Sequence, residues 1–150
     1  MKRQKEVKDV STTRLREGDS VLAVLQGSTR ASVVFFTNAG VAYTTRIVDV
    51  PASTGHGEPV QRHFAFADRE AVVGVVSQDP RNLPEALLEG EEQGPWLVAV
   101  SRQGRAVRVP MIAHRDASNK NGRRYMRLDE NDAVVAAYVC DGSEQACVVS

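Results

Sequence analysis

The chain has 150 residues, of which 42% are hydrophobic and 25% are charged, a composition typical of a globular domain with an ordinary core. No apolar run approaches the roughly 20 residues of a membrane span, and the charged start MKRQKEVKDV has no apolar segment behind it, so we expect no secretory signal and a cytoplasmic protein. The formal net charge of zero disfavours a strong non-specific nucleic-acid binder, although the distribution of charge matters more than its sum.

Short β-strands dominate the first half of the chain. We read residues 1–14 as a linker or N-terminal arm, and the apolar segment 21–25 as a strand that follows a turn at Gly18. Residues 33–37 and 41–45 predict a hairpin, because β-branched and aromatic residues flank a short loop that ends in glycine. The apolar run 71–76 predicts a further strand.

The second half repeats this design. Residues 82–93 are acidic and predict either a short helix or a connection between two structural units. Residues 96–101 and 105–109 predict a second hairpin around Gly104, and residues 133–139 predict a second apolar strand. The continuous β-branched character of 71–76 and 133–139 favours strands buried on both faces.

The two halves form an internal repeat. The hairpin at 34–43 aligns with 98–107 at an offset of 64. Segment 15–24 aligns with 66–75 at an offset of 51, and 66–75 aligns with 128–137 at a further offset of 62. Each copy of that segment reads apolar, three polar, acidic, small, then strand. A period of 50–60 residues with four short strands indicates radial blades and not a sandwich.

The repeat predicts the following organisation. The chain comprises an arm at 1–14, the tail of one blade plus a first blade at 15–79, an acidic connection at 80–95, a second blade at 96–145, and the start of a third blade at 146–150.

Two stretches carry a family resemblance. FFTNAGVAYTTRIVDVPASTGHGEPVQRHFAFADREAVVGVV and WLVAVSRQGRAVRVPMIAHRDASNKNGRRYMRLDENDAVVAAYV resemble the β-pinwheel repeat in the C-terminal domains of the A subunits of bacterial DNA gyrase and topoisomerase IV. The resemblance covers about residues 15–150. It implies an all-β pinwheel, here a partial ring of about two blades plus fragments, with propeller-like blades of four short antiparallel strands.

The resemblance also implies a function. In that family DNA bends around the basic rim of a disc of blades, and the domain presents DNA segments to a cleavage core whose nucleophilic tyrosine lies in another domain. We therefore expect a non-catalytic, sequence-independent DNA-binding and DNA-wrapping domain without a cofactor. The partners implied are duplex DNA, the catalytic core of the same polypeptide and the ATPase subunit of the enzyme. ATP and magnesium would bind elsewhere in the parent topoisomerase.

One departure from the family concerns a basic box. The gyrase version carries a glycine-rich basic box in its first blade, whereas the corresponding loop here, residues 53–59, has no lysine or arginine. The loop 119–124 is basic but is not a true match. This departure favours a topoisomerase IV-like or divergent protein over gyrase-style wrapping.

Charge along the chain selects the candidate DNA-binding residues. Residues 101–127 hold eight basic residues and one acidic residue, whereas 128–150 hold five acidic residues and no lysine or arginine. Phosphate contact requires long basic side chains on exposed loops with glycine nearby. The candidates, in order of preference, are Lys120, Arg123 and Arg124, then Arg102 and Arg105, then Arg127 and Arg115, with Arg46 and Arg62 in the first blade.

Other kinds of site have less support. The three histidines follow no ligand spacing, and Cys140 and Cys147 lie in strand-like runs that favour small core residues over a metal site. The aromatic residues favour core positions over base stacking. Two other functions stay open at this point: a propeller-like protein-interaction module that does not bind DNA, and a small all-β enzyme, although no constellation of acid, base and nucleophile stands out.

Overall fold

The computed structural model describes residues 1–83 and 94–144. This part of the chain forms seven β-strands and four short 3₁₀ helices, without an α-helix among the described residues. The strands are β1 (Ser32–Thr37), β2 (Val41–Arg46), β3 (Val72–Ser77), β4 (Trp96–Ser101), β5 (Ala106–Pro110), β6 (Arg123–Arg124) and β7 (Val134–Cys140), and the 3₁₀ helices are Val10–Thr12, Ile47–Asp49, Val60–Arg62 and Met111–His114.

The strands form two antiparallel sheets. The first has the order β3-β1-β2-β6, and the second has the order β5-β4-β7. Both predicted hairpins and both predicted later strands are confirmed, each within a residue or two of the expected bounds. The strand β6 belongs to the second repeat by sequence but pairs with β2 of the first, where Arg123 lies opposite Ala42.

The same turn occurs at the equivalent position of all three copies of the repeated segment. Gly18, Arg69 and Asn131 occupy equivalent repeat positions, and all three have a positive φ, of 82°, 60° and 61°. Each turn is closed by an equivalent backbone hydrogen bond: Asp19 N to Arg16 O, Glu70 N to Ala67 O, and Asp132 N to Asp129 O. Asparagine and glycine tolerate this left-handed backbone well, whereas arginine rarely adopts it.

The acidic residue after this turn secures the neighbouring hairpin. Glu70 is buried and accepts hydrogen bonds from Thr37 Oγ1 at 2.7 Å and from the Tyr43 hydroxyl at 3.3 Å. Burial and the charge of Glu70 raise the pKa of Tyr43 to about 12, so this phenol stays a hydrogen-bond donor. Asp132 has the same role in the second repeat, where it accepts from Gln103 N at 3.0 Å. The repeated acid in the sequence therefore holds each hairpin against its last strand.

The core lies between and beside the two sheets. One buried cluster joins them and includes Val34 and Phe36 of β1, Leu97 of β4, Val134 of β7, and Tyr125 from the segment after β6. A second cluster covers the other face of the first sheet; its buried members are Val33, Phe35, Tyr43, Val50 and Phe64. The expectation that Phe35, Phe36, Tyr43 and Phe64 are core residues is confirmed, and Trp96 and Phe66 are half-buried.

The prediction that residues 21–25 form a strand is wrong. These residues carry no strand hydrogen bonding and are all exposed, with Leu22 59% and Val24 51% accessible. The equivalent segments β3 and β7 each pair with the hairpin of their own repeat. A strand needs a partner ladder, and among the described residues no hairpin is left to provide one for 21–25.

The expected burial of 71–76 and 133–139 on both faces is also wrong. Most of β3 is half-buried, and β7 exposes Val135 at 53% and Tyr138 at 40%. Each strand is an edge strand of its sheet, and the two lie against each other, so each is covered on fewer sides than the central strand β1.

Several sequence predictions fall on residues outside the described part. The helix or acidic connection at 82–93 lies almost entirely there, as do the start of the third blade at 146–150 and Cys147. Within the described residues Cys140 is buried and unpaired, as expected of a small core residue. No helix among residues 1–83 and 94–144 has the length and apolar character to span a membrane.

Candidate nucleic-acid interface

Three arginines from separate parts of the chain line one open cavity of about 260 Å³. Arg30 precedes β1, Arg46 ends β2, and Arg115 follows the 3₁₀ helix Met111–His114. The hairpin register brings the first two together, because Ser32 lies opposite Arg46. The remaining lining residues are Ser32, Gln78, Asp116 and Ala117, so three guanidinium groups face a single carboxylate.

Hydrogen bonds that are buried or partly buried fix the loop that carries Arg115. The carbonyl of His114 accepts from both Thr44 Oγ1 and Gln78 Nε2, each at 3.0 Å. Further along, the Ser118 amide donates to the Thr44 carbonyl at 2.9 Å, and the Thr44 amide donates to Ser118 Oγ at 3.1 Å. The second repeat is thereby held along the outer edge of β2, next to Arg46.

The loop that carries Arg30 is anchored by Asp79. This buried carboxylate accepts from Ser28 N at 2.7 Å and pairs with the Arg81 guanidinium at 2.6 Å. The side-chain hydrogen bond from Arg81, followed by the backbone amides of Ser28 and Arg81, holds the pKa of Asp79 well below its usual range. The carboxylate therefore stays charged, and the loop stays in place, across the physiological pH range.

A second basic group lies at the other end of β2. Arg124 and Arg127 line an open cavity of about 280 Å³ together with the buried residues Tyr125 and Met126. Arg123 is next to them, and its guanidinium donates to the Ala113 carbonyl, one residue before His114. Ala42, which faces Arg123, is four residues from Arg46, which corresponds to ~13 Å along a strand. The two basic groups therefore lie along one strand edge.

Glycine makes this arrangement possible at one point. Gly122 has a φ of 68°, and a Cβ there would lie 2.6 Å from Val41 Cγ1 and 2.8 Å from the Ala42 carbonyl. The backbone just before β6 thus comes close enough to β2 that only glycine fits. Lys120 lies two residues earlier, on an exposed loop. Its backbone carbonyl accepts a hydrogen bond from Ala65 N at 2.8 Å.

The structure does not bring all nine predicted residues together, although all nine are exposed. Arg105 forms an ion pair with Asp129, and Arg102 and Arg105 flank a turn that lies against the acidic turn 129–132. Arg62 pairs with Glu58 at 3.6 Å. These pairings reduce the positive potential available to a phosphate, so Arg102, Arg105 and Arg62 are weaker candidates than their sequence positions indicate.

Arg30 is a basic residue that the sequence analysis missed. The segment around it contains glycine, serine and threonine and, by its composition, predicts only a turn. The register of the predicted hairpin identifies Arg30 as a neighbour of Arg46, because a residue two positions before β1 must lie near the C-terminal end of β2. Among residues 1–83 and 94–144 no group of histidine, cysteine, aspartate or glutamate residues has a geometry that could hold a metal ion.

His114 lies behind the basic cavity and makes the fold pH-sensitive. Its ring packs edge-to-face on Phe36 at 5.7 Å, and burial, then the Arg123 charge, lowers its pKa below the ordinary value of 6.5. The unfolded chain then binds a proton that the folded chain excludes, so stability is lost as the pH falls below about 6.5. We expect His114→Phe to lose less stability than the wild type between pH 7 and pH 5, because phenylalanine does not titrate. The measurement is the difference in unfolding free energy between wild type and variant, determined at each of the two pH values. A difference that does not change with pH would contradict the assignment.

Comparison with known proteins agrees with this fold. A family model described as the DNA gyrase C-terminal domain, beta-propeller, matches residues 31–79 and 115–141, together half of the chain. The DNA gyrase A protein of Mycobacterium tuberculosis (strain H37Rv) is 26% identical over 145 residues, and that of Rickettsia prowazekii is 24% identical over 136 residues. These alignments cover 95% and 87% of this chain but only 16% and 14% of the gyrase proteins, so the chain spans about a sixth of their length.

Solved structures show the same architecture. The C-terminal domain of DNA topoisomerase IV superposes with a TM-score of 0.73 at 16% identity, over 94% of this chain and 42% of that one. The E. coli ParC C-terminal domain superposes with a TM-score of 0.70 at 20% identity, over 93% of this chain and 52% of that one. The exchange of β6 between repeats, the two antiparallel blades and the family match lead to one conclusion: the chain belongs to the DNA gyrase C-terminal beta-propeller domain family.

Proposed function

We propose that this chain binds duplex DNA through its phosphate backbone, without sequence specificity, along the basic surface formed by the arginines of β2 and of the segments that pair with its outer edge. The observation that carries the proposal is the convergence of Arg30, Arg46 and Arg115 in one cavity, continued along the strand by the arginines of β6. Guanidinium groups pair with phosphate oxygens in a bidentate manner, and a cluster of them on a fixed scaffold is a typical phosphate-binding arrangement.

The polarised charge of the chain supports this proposal in spite of a net charge of zero. Two groups of basic residues lie along β2, whereas the acidic turn at 129–132 lies against the other hairpin. A duplex carries a phosphate charge every ~1.7 Å along its axis, so two basic groups ~13 Å apart would contact several phosphates. Positive charge spread over a curved blade surface also lowers the energy cost of bending the duplex.

In a longer parent protein, this binding would serve DNA wrapping. We infer that the chain corresponds to the part of a type IIA topoisomerase A protein that presents DNA to a catalytic core carried by other domains. Under this proposal the chain has no catalytic residue and no cofactor of its own. ATP and magnesium would bind to other parts of the enzyme, and the partners would be that core and the ATPase subunit.

A protein-interaction module is the second candidate function. The observation that favours it is the row of exposed apolar side chains at residues 21–25, which an isolated DNA-binding surface does not require. Binding to a protein partner through this segment would be largely insensitive to salt, whereas phosphate binding weakens steeply as salt rises. A salt series therefore separates the two functions.

Substitution of the cavity arginines is expected to weaken DNA binding at least about tenfold, because one charge-assisted contact contributes about 1.5 kcal/mol. The variant is Arg30→Gln, Arg46→Gln and Arg115→Gln together, measured by fluorescence anisotropy on unrelated duplexes across a salt series. The slope of log K against log salt should become shallower by about 0.9 for each phosphate that the variant no longer neutralises. We expect Lys120→Ala, Arg123→Ala and Arg124→Ala together to act in the same direction.

The matched control removes the same amount of charge elsewhere. Arg62→Gln, Arg69→Gln and Arg105→Gln change three arginines that pair with Glu58, Asp68 and Asp129. We expect this control to bind DNA within about threefold of wild type, since its residues lie outside the basic edge. Equal effects of the control and the cavity variant would show that only net charge matters and would remove the assigned site. Absence of binding at low salt would contradict the function itself.

A further inference from the structure

The three arginines that line the basic cavity have no ion-pair partner within the described part of the chain. No carboxylate there pairs with the guanidinium group of Arg30, Arg46 or Arg115. Elsewhere arginine side chains do pair, as Arg81 does with Asp79 at 2.6 Å. Three positive charges that converge on one cavity repel one another, so an anion that enters the cavity relieves this repulsion.

The backbone positions these arginines before any ligand binds. The amide of Ile47 donates to the Ala31 carbonyl at 2.9 Å, which holds the segment of Arg30 beside the residues that follow Arg46. Gly27 packs still closer, because a Cβ there would lie 2.6 Å from Ile47 Cδ1. The third arginine lies on a loop that is hydrogen-bonded to β2. A site whose backbone is already fixed loses less conformational freedom when it binds a ligand.

The size of the cavity selects a small ion. Its volume of about 260 Å³ is smaller than the ~300 Å³ at which pockets for drug-sized molecules begin. The lining also includes Ser32, a half-buried residue whose hydroxyl group has no hydrogen-bond partner within the described part of the chain. Guanidinium and hydroxyl groups both donate to the oxygens of a tetrahedral oxyanion, so the cavity suits an ion of this class.

Asp116 decides which oxyanion the cavity favours. Among the described residues it is the one carboxylate in the lining, and its oxygens accept no hydrogen bond there. With the three guanidinium groups it gives the cavity a net charge of two positive units, which a dianion neutralises. An ionised carboxylate only accepts hydrogen bonds, so it repels an anion that has no proton to donate.

Hydrogenphosphate meets both conditions, because it carries two negative charges and one P–OH group. Sulfate carries the same charge but has no proton at neutral pH. A phosphodiester of the DNA backbone carries one negative charge and has no proton either. The charge and the hydrogen-bonding groups of the cavity therefore match hydrogenphosphate better than either of these anions.

We propose that the cavity formed by Arg30, Arg46, Arg115 and Asp116 binds inorganic hydrogenphosphate. The guanidinium groups donate to the charged phosphate oxygens, and Asp116 accepts from the P–OH group. The inference deepens the proposed function, on which it rests only in assigning a second ligand to a cavity of the DNA-binding surface; phosphate binding itself requires no DNA. Bound phosphate competes with the DNA backbone for the same three arginines.

Isothermal titration calorimetry on the full chain, without DNA, tests the phosphate site. Phosphate and sulfate are titrated separately at constant ionic strength and at about pH 8, where phosphate is mainly dianionic. We expect one phosphate ion to bind per chain, at least about tenfold more tightly than sulfate, which is the effect of one charge-assisted hydrogen bond. No saturable phosphate binding up to about 10 mM overturns the proposal.

The arginine variants locate the site. The combined Arg30→Gln, Arg46→Gln and Arg115→Gln variant should bind phosphate at least about tenfold more weakly than wild type. The control that changes three arginines paired with carboxylates should stay within about twofold of wild type. Far-UV circular dichroism checks that both are folded, and Arg115→Gln alone replaces the triple variant if it is not. Equal losses in variant and control overturn the site.

Asp116→Asn tests the choice of anion. An asparagine amide donates to sulfate as well as to phosphate, so this variant should bind sulfate more tightly than wild type does and lose most of the preference for phosphate. A purely structural role of Asp116 would instead weaken the binding of both anions. That result, or equal affinity of the wild type for the two anions, overturns the assignment of hydrogenphosphate.

Fluorescence anisotropy with a duplex separates this inference from the proposed function. We expect phosphate to displace DNA more effectively than sulfate does at the same ionic strength. Phosphate that binds the chain in calorimetry without displacing DNA contradicts the DNA site and supports the phosphate site. DNA binding by a chain that does not bind phosphate overturns the phosphate site and leaves the proposed function standing.

Discussion

Phe36→Ala is expected to destabilise the chain by about 4 kcal/mol, the usual cost of removing a large aromatic side chain from a core. Phe36 is completely buried in β1. Its ring meets Tyr125 edge-to-face at 5.2 Å and His114 at 5.7 Å, and both of these residues belong to the second repeat. The substitution removes core volume and the aromatic contacts that join the two blades. Equilibrium unfolding in urea at neutral pH measures the effect.

The matched control is Ile112→Ala. Ile112 is 62% exposed and follows directly on the buried Met111, so its truncation should change the unfolding free energy by no more than about 0.5 kcal/mol. A destabilisation below about 1 kcal/mol for Phe36→Ala would mean that the neighbouring side chains collapse into the space, and that the blades are held together elsewhere.

The hairpins and later strands could be predicted from the sequence because their signals are local. In the first hairpin, five consecutive β-branched or aromatic residues lead to a glycine turn, and Gly40 has the positive φ of 74° that such a turn requires. The repeat added a second, independent signal. An acidic residue recurs at Glu70 and Asp132 because each accepts hydrogen bonds from the hairpin of its own repeat. The repeated acid in the sequence therefore reflects a structural contact.

The strand exchange could not be predicted from the residues alone. The strand β6 consists of two arginines without apolar alternation, and it forms a strand only because the edge of β2 is beside it. Pairing across about 80 residues of sequence carries no local signal. The same dependence on a partner explains the wrong prediction at 21–25, whose sequence pattern matches β3 and β7 but whose hairpin is missing among the described residues.

Most residues of the candidate site were predicted individually, but Arg30 was missed and the grouping of the residues was not predicted. The expected exposure of the basic residues is confirmed, but the expected loop position of Arg123 and Arg124 is wrong, because the edge of β2 draws them into the strand β6. The grouping of the basic residues depends on long-range packing: Arg115 joins Arg46 because the segment 114–118 lies along β2, and Arg105 is paired with Asp129 because the β4–β5 turn lies against the acidic turn. These are tertiary contacts, and the order of charges along the chain does not contain them.

Gly74→Ala is expected to destabilise the chain by about 3 kcal/mol and to loosen the contact between the blades. Gly74 lies in β3, and a Cβ there would be 2.5 Å from the Ala137 carbonyl and 3.4 Å from the Ala137 Cβ of β7. The nearest atom belongs to a strand backbone, so a side-chain rotation cannot relieve the overlap. The two strands must separate, and the core cluster that includes Val134 and Phe36 would open with them. Urea unfolding measures the free energy.

Gly104→Ala separates steric overlap from backbone strain. Gly104 has a φ of 82°, but a Cβ there meets nothing within 4 Å, so only the strain of a left-handed alanine remains, about 1 kcal/mol. If the blades are rigidly packed through β3 and β7, Gly74→Ala must destabilise the chain more than Gly104→Ala does. Gly74→Val must then destabilise it more than Gly74→Ala does. Equal effects at the two glycines would mean that the blades move apart at little cost, and the contact between β3 and β7 would then act as a hinge and not as part of the core.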